Sequence, residues 1–285
     1  ERVQGWAMGT YPELGPLYDQ LALLEKCSSE SLALTTGCDG AIHQMFEVFV
    51  APTDKVIITE PTFAMYSVYA AASGAQTTIL NYEPKPSGPW LSIETILDSL
   101  KTLQPKVLFL ANPNSPTGTT LSLGELEEIA ATCKRTHTIF FVDEAYYPFA
   151  NVTATPLTES YEHVIVARTF SKAWGLAGLR LGYVRSSPRT IAWFEKARPM
   201  YEIGAFPAEF LCQAIKEYSE IKKSIRRLID GKKFFVEAMR ARGFAVLPSG
   251  GNFTHVDFGV STSAVHSMLD EIVLYRSDWT DDCLK

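Results

Sequence analysis

Val164-Ile-Val-Ala-Arg168-Thr-Phe-Ser-Lys172-Ala-Trp-Gly-Leu-Ala-Gly-Leu-Arg180-Leu-Gly-Tyr183 reads as an apolar strand that runs into a Ser/Gly-rich turn and out again. A strand apolar at every position is covered on both faces, as in a parallel sheet. Similar β-branched runs predict strands over 32–36, 55–59, 76–80, 107–111, 139–142, 164–168 and 180–184. Between them, helical periodicity marks 39–50, 63–73, 93–103 and 122–134, the last opened by Ser122 and Glu125 at capping-box spacing. Strand alternating with helix predicts an α/β fold with a mostly parallel seven-stranded sheet between helices. Ligands of such sheets sit beyond the carboxyl ends of the strands.

After Tyr183 the pattern changes to helices over 190–197 and 208–242, strands over 245–247 and 253–257, and a helix over 264–272. This predicts two domains, 1–205 and a smaller, incomplete α+β domain over 206–285. The lysines and arginines at 222, 223, 226, 227, 232 and 233 are expected on a solvated helix face. The chain has 285 residues, 46% of them hydrophobic and 20% charged, with a formal charge of −6. That balance excludes a general nucleic-acid binder. No apolar run approaches the roughly 20 residues that span a bilayer, so no membrane role is expected. Five scattered cysteines without a CxxC, and no basic n-region before an apolar stretch, point to a reducing, cytoplasmic location. Five histidines without HxH or HExxH spacing give no reason to expect a metal.

Four strand ends carry the candidate chemistry. Lys172 follows directly on a strand end, where burial would ease loss of its proton and make it a nucleophilic amine. Ser171 and Arg180 offer a hydroxyl and a guanidinium fork suited to a phosphate. Phe140-Phe-Val-Asp143-Glu-Ala-Tyr146 is an apolar strand ending in an acid; buried there, Asp143 needs a cationic partner such as a protonated ring nitrogen, or else caps the next helix. Leu110-Ala-Asn112-Pro-Asn-Ser115-Pro-Thr-Gly118 fixes a rigid polar loop. Thr36-Gly37-Cys38-Asp39-Gly40 is a strand–glycine–helix junction whose free N–H groups form an anion site, with Cys38 read mainly as a packing residue. It is not G-x-G-x-x-G, which disfavours a dinucleotide.

Together these segments resemble the class I and II aminotransferases, fold-type I pyridoxal-phosphate (PLP) enzymes, and within them most closely the histidinol-phosphate aminotransferases. The S-K-A-x-G-L-A-G-L-R-x-G-Y stretch is the most specific, and N-P-N-x-P-T-G and D-E-A-Y support it in the family's order over residues 11 to about 257. The resemblance implies that Lys172 forms the Schiff base with PLP and shuttles the proton, while Asp143 keeps the pyridine nitrogen protonated and Tyr146 bonds the ring hydroxyl. It further implies that Arg180, Ser171 and the Gly37, Cys38 and Asp39 junction bind the phosphate. Phe63 stands where the family has a ring-stacking tyrosine. Tyr11 matches a tyrosine that reaches the phosphate of a partner subunit, which implies a homodimer. Ser115 occupies the place of the family's ring-hydroxyl asparagine; Asn112 or Asn114 then substitutes, Asn112 being nearest the strand end. Asn252 resembles a substrate-lining residue of the small domain, against the ordinary reading of an Asn in a turn. The family's N-terminal arm and its carboxylate-clamping arginine have no counterpart within these residues, so the chain is expected to be part of a longer one.

The implied activity moves an amino group between an amino acid, glutamate being the expected donor, and a 2-oxo acid or imidazole-acetol phosphate. Two alternatives stand beside it: a threonine-phosphate-type decarboxylase with the same cofactor constellation, and a non-catalytic PLP-binding relative.

Overall fold

The computed structural model describes residue 5, residues 9–270, and residues 272, 273, 275 and 276. Cys283 and the Glu271 step of the expected 264–272 helix lie outside the described residues.

The expected sheet is present. Strands β1 (Leu32–Thr35), β2 (Lys55–Glu60), β3 (Gln76–Asn81), β4 (Val107–Ala111), β5 (Ile139–Asp143), β6 (Val164–Thr169) and β7 (Gly182–Arg185) pair in the order β1-β7-β6-β5-β4-β2-β3. Pairing is parallel from β3 through β6, and β7 runs antiparallel to both its neighbours. Side chains alternate along each buried strand, so each face fills its own core. Leu108, Leu110, Phe140, Val142, Val164 and Val166 pack on helices α4 (Ile93–Leu103) and α5 (Leu123–Thr136). Val107, Phe109, Phe141, Ile165 and Ala167 pack instead on α2 (Gly37–Phe49) and α3 (Met65–Ser73). The capping box of α5 is formed: Ser122 Oγ accepts from Glu125 N at 3.3 Å and Glu125 Oε2 accepts from Ser122 N at 2.7 Å.

Three expectations need correction. A helix absent from the sequence reading, α1 (Gly15–Glu25), precedes β1; Pro16 in its first turn and the i,i+4 pair Leu17/Leu21 were its signals. Arg180 is not in a strand. It ends a 3-10 turn (Ala177–Leu179) in the left-handed region, φ 52°, and β7 starts two residues later. The long helix expected over 208–242 is two, α8 (Ala205–Lys216) and α9 (Tyr218–Ala241), broken at Glu217 without a Gly or Pro. Packing imposes that break. Ala208, Leu211 and Cys212 of α8 share a core with Leu17 and Leu21 of α1, while Tyr218 turns to stack on Trp174 with ring centroids 5.2 Å apart. A short antiparallel pair, β8 (Ala245–Val246) and β9 (Val256–Asp257), follows α9, and α10 (Thr262–Leu269) comes last among the described elements. No helix among the described residues is long and apolar enough to cross a membrane.

The strand ends are tied together by a buried ion network. The Arg168 guanidinium bonds Glu144 at 2.9 Å, Glu25 at 2.8 Å and Thr153 Oγ1 at 2.8 Å, and lies 3.6 Å from the centre of the Tyr147 ring. Burial raises the Glu144 carboxyl above its ordinary value, and the charge of Arg168 opposes that rise. Removing one member of a buried pair strands the other charge. Arg168→Ala is therefore expected to lower stability by about 3–5 kcal/mol, read as the urea midpoint.

Candidate active site

A cavity of about 270 Å³ opens at the carboxyl ends of β4, β5 and β6. It is lined by Gly37, Cys38, Asp39, Phe63, Ser115, Asp143, Tyr146, Ser171, Lys172 and Arg180, so most of the expected residues converge there. The register explains why. Asp143 lies opposite Ala111 of β4 and Ala167 of β6, so the loops that leave these three strands emerge side by side.

One end of the cavity is built to hold an anion. The N-terminus of α2 carries no side-chain cap, and Gly37, Cys38 and Asp39 line the wall. Gly37 has φ +81°, a left-handed conformation that favours glycine. A Cβ on Gly182 would lie 2.7 Å from the Gly37 Cα and 2.5 Å from the Arg168 carbonyl, so the junction and β7 meet only because position 182 lacks a side chain. Arg180 faces this junction, its Nη1 3.5 Å from Ser171 Oγ and its Nη2 3.4 Å from the Thr36 carbonyl. Thr169, which the sequence reading missed, donates to Ser171 Oγ at 3.0 Å and accepts from Ser171 N at 3.2 Å, fixing that hydroxyl beside the arginine.

The same cavity carries an acid. Asp143 is buried and lines the cavity. Burial raises its carboxyl above the ordinary value; hydrogen bonds from Cys38, Tyr66 and the Ala145 N–H, and the charge of Lys172, oppose the rise. Tyr66 Oη donates to Oδ2 at 3.0 Å and Ala145 N donates to Oδ1 at 2.9 Å. Cys38 packs in the core as expected, and burial followed by the neighbouring Asp143 pushes its thiol well above its ordinary value. Tyr146 Oη donates to Ser115 Oγ at 3.4 Å, and Lys172 Nζ stands 5.4 Å from the Tyr146 ring centre.

Several expectations fail or shift. Lys172 is exposed rather than buried at its strand end. Asn112 does not line the cavity: its amide exchanges hydrogen bonds with Leu121, at 2.8 Å and 3.2 Å, and clips the returning chain to the strand end. Asn114 is likewise committed, to Thr62, Pro61 and Thr117. Ser115 and Pro113 are the loop residues that line the cavity, and Ser115 is the polar one. Asn252 lines a different cavity, beside Lys232 under α9; its neighbour Phe253 is the residue that reaches the site, edge-on to Tyr146 at 5.2 Å. Tyr11, expected to serve a partner subunit rather than its own chain, is 72% exposed and stacked on Tyr201 at 4.1 Å.

A cavity lined by an uncapped helix start, an arginine, a hydroxyl, a buried carboxylate and an amine offers partners for the phosphate, the protonated nitrogen and the carbonyl of a phosphorylated aromatic ring. The comparisons with known proteins agree. The family described as aminotransferase class I and II matches residues 17–282. A histidinol-phosphate aminotransferase of Caldanaerobacter subterraneus subsp. tengcongensis is 28% identical over 267 residues, covering 93% of this chain and 74% of that protein. The crystal structure of histidinol-phosphate aminotransferase from Sinorhizobium meliloti in complex with pyridoxal-5'-phosphate superposes with a TM-score of 0.80 at 26% identity, covering 92% of this chain and 71% of that one. The L-threonine-O-3-phosphate decarboxylase of Porphyromonas gingivalis gives a TM-score of 0.74 at 20% identity, covering 92% and 82%, and shares the fold.

The geometry separates the two loop residues. Asn112→Ala strands the backbone groups of Leu121 and is expected to cost about 1–3 kcal/mol. Ser115→Ala should stay within about 0.5 kcal/mol, since this side chain faces the cavity. Paired urea titrations of the two variants check this.

Proposed function

The chain belongs to the class I and II aminotransferases and is a pyridoxal-phosphate-dependent aminotransferase, and from that premise we propose how its own residues divide the work. The observation that carries the proposal is the convergence of Lys172, Asp143, Ser171 and Arg180 with the start of α2 in one cavity. When bound, the cofactor supplies an electron sink for the bond broken at the substrate Cα. Arg180, Ser171 and the amides of Gly37, Cys38 and Asp39 bind its phosphate by charge-assisted hydrogen bonds. Asp143 keeps a proton on the ring nitrogen, a role suited to a carboxylate that burial deprives of water and that three protein donors hold in place. Lys172 Nζ is the amine that would hold the cofactor through its carbonyl carbon, and once displaced by the substrate amine it would be the base that moves the proton at the substrate Cα. Tyr146, with Ser115 at its hydroxyl, bonds the ring oxygen in place of an asparagine, and Phe63 supplies a stacking face without a hydroxyl.

The reaction we assign transfers an amino group from an amino acid, with glutamate as donor, to a 2-oxo acid or imidazole-acetol phosphate. The names of the relatives support the last of these. The same proposal includes a homodimer in which Tyr11 serves the partner's phosphate site. Exposed Tyr11, Met200, Tyr201 and Phe206 support a covered face there. A large cofactor-holding body and a smaller second unit fit the chain best with the division near Glu217, because α8 packs on α1.

The test is a visible absorption spectrum of the protein with PLP, before and after glutamate, beside Lys172→Ala. A Lys172-dependent band that gives way on adding glutamate is expected. A band that persists with glutamate while carbon dioxide is released from an amino acid overturns amino transfer in favour of decarboxylation. Arg180→Ala is expected to weaken PLP binding at least about tenfold, the loss of one charge-assisted bond, read by spectrophotometric titration.

A further inference from the structure

Asp143 needs more than burial to meet a ring nitrogen: its carboxylate plane must be held. A carboxylate with two oxygens and about four acceptor sites can rotate about χ2 unless donors fix both sides. Here Oδ1 is held by the Ala145 N–H at 2.9 Å and Oδ2 by the Tyr66 hydroxyl at 3.0 Å. Tyr66 is itself immobile, only 1% exposed, its ring tilted against Phe109 with centroids 5.6 Å apart. Phe109 in turn packs between Phe46 at 4.6 Å and Phe141 at 5.5 Å. The aromatic core therefore aims the hydroxyl, and a phenylalanine would fill the same space without a donor. A buried hydroxyl is costly unless bonded, and its partner here is the acid of the site.

We propose that Tyr66 is a positioning residue of the reaction, whose hydroxyl locks the Asp143 carboxylate in the orientation that meets the cofactor ring nitrogen. The proposal rests on the reading of Asp143 given above. Residues 61–66 would then serve the ring twice: Phe63 walls the cavity, and Tyr66, three residues later, tethers the acid behind it. The charged and titratable groups that bear on Asp143 and Tyr66 are Cys38 from α2, Lys172 from the loop after β6, and Tyr82, while Glu144 bears on Cys38. Among these, Tyr66 and Cys38 are the two side-chain donors to the carboxylate.

Tyr66→Phe keeps the ring and removes only the donor. PLP binding to the apoprotein is expected to weaken about tenfold, the scale of a hydrogen bond to a charged group. The pH midpoint of the substrate-free visible band should move by about half a unit or more, because the ring nitrogen's partner is less firmly held. In the Asp143→Asn background the same substitution should change PLP affinity by less than about twofold, since the two residues act as one unit. Unchanged affinity and midpoint in Tyr66→Phe, or an equal loss in both backgrounds, would overturn the positioning role while leaving the cofactor assignment intact. A wild-type protein with no Lys172-dependent band would overturn the cofactor assignment, and the positioning role with it.

Discussion

Asp143 pairs with Ala111 on one side and Ala167 on the other, and the site follows from that register. In a parallel sheet the side-chain period is two, so slipping one strand by a residue would turn its whole apolar set to the opposite face. Phe140, Phe141 and Val142 fill both cores of the molecule and forbid such a slip. The acid at the strand end is consequently placed by hydrophobic packing several residues away. The loops after β4 and β6 are carried to it by the same ladder, which continues one step beyond the strands through Asn112 N to the Asp143 carbonyl and Glu144 N to the Ala167 carbonyl, both 2.8 Å.

Behind the cavity, adjacent acids divide two tasks. Asp143 faces the cavity, whereas Glu144 points the other way and is neutralised by Arg168, which also reaches Glu25 at the end of α1. This network joins β5, β6 and α1 with charge rather than apolar area. Its members are almost fully buried, so breaking the network is far more costly than its formation is stabilising. It gives a rigid floor to a cavity at which Lys172 and Arg180 are exposed.

The cavity brings groups of both signs together, with helix amides, Arg180 and Ser171 lining it along with Asp143. The segment after β8 contributes by contact rather than by charge. Gly250 N donates to the Gly118 carbonyl at 2.8 Å, His255 Nε2 bonds the Pro116 carbonyl at 2.8 Å, and Phe253 meets Tyr146 edge-on. The polar loop over 112–118 is thereby clasped from both sides.

The sheet, most helix spans and the identity of the cavity's principal residues were legible in the sequence, because apolar period and strand-end motifs are local properties. The same locality explains what was missed. Asn112 and Ser115 stand three residues apart in one loop, and only the path of the chain to Leu121 decides which amide is consumed by backbone and which side chain faces the cavity. The break at Glu217 carries no breaker residue, and it exists because α8 and α9 bury against different neighbours. Tyr66 went unread in the sequence; it is a core aromatic whose hydroxyl meets Asp143 only because α3 reaches the end of β5. Sequence thus determined which elements form and which chemistry their ends carry. Tertiary structure alone decided which polar atoms meet, since a hydrogen bond at 3.0 Å between residues 77 positions apart depends on the packing of everything between them.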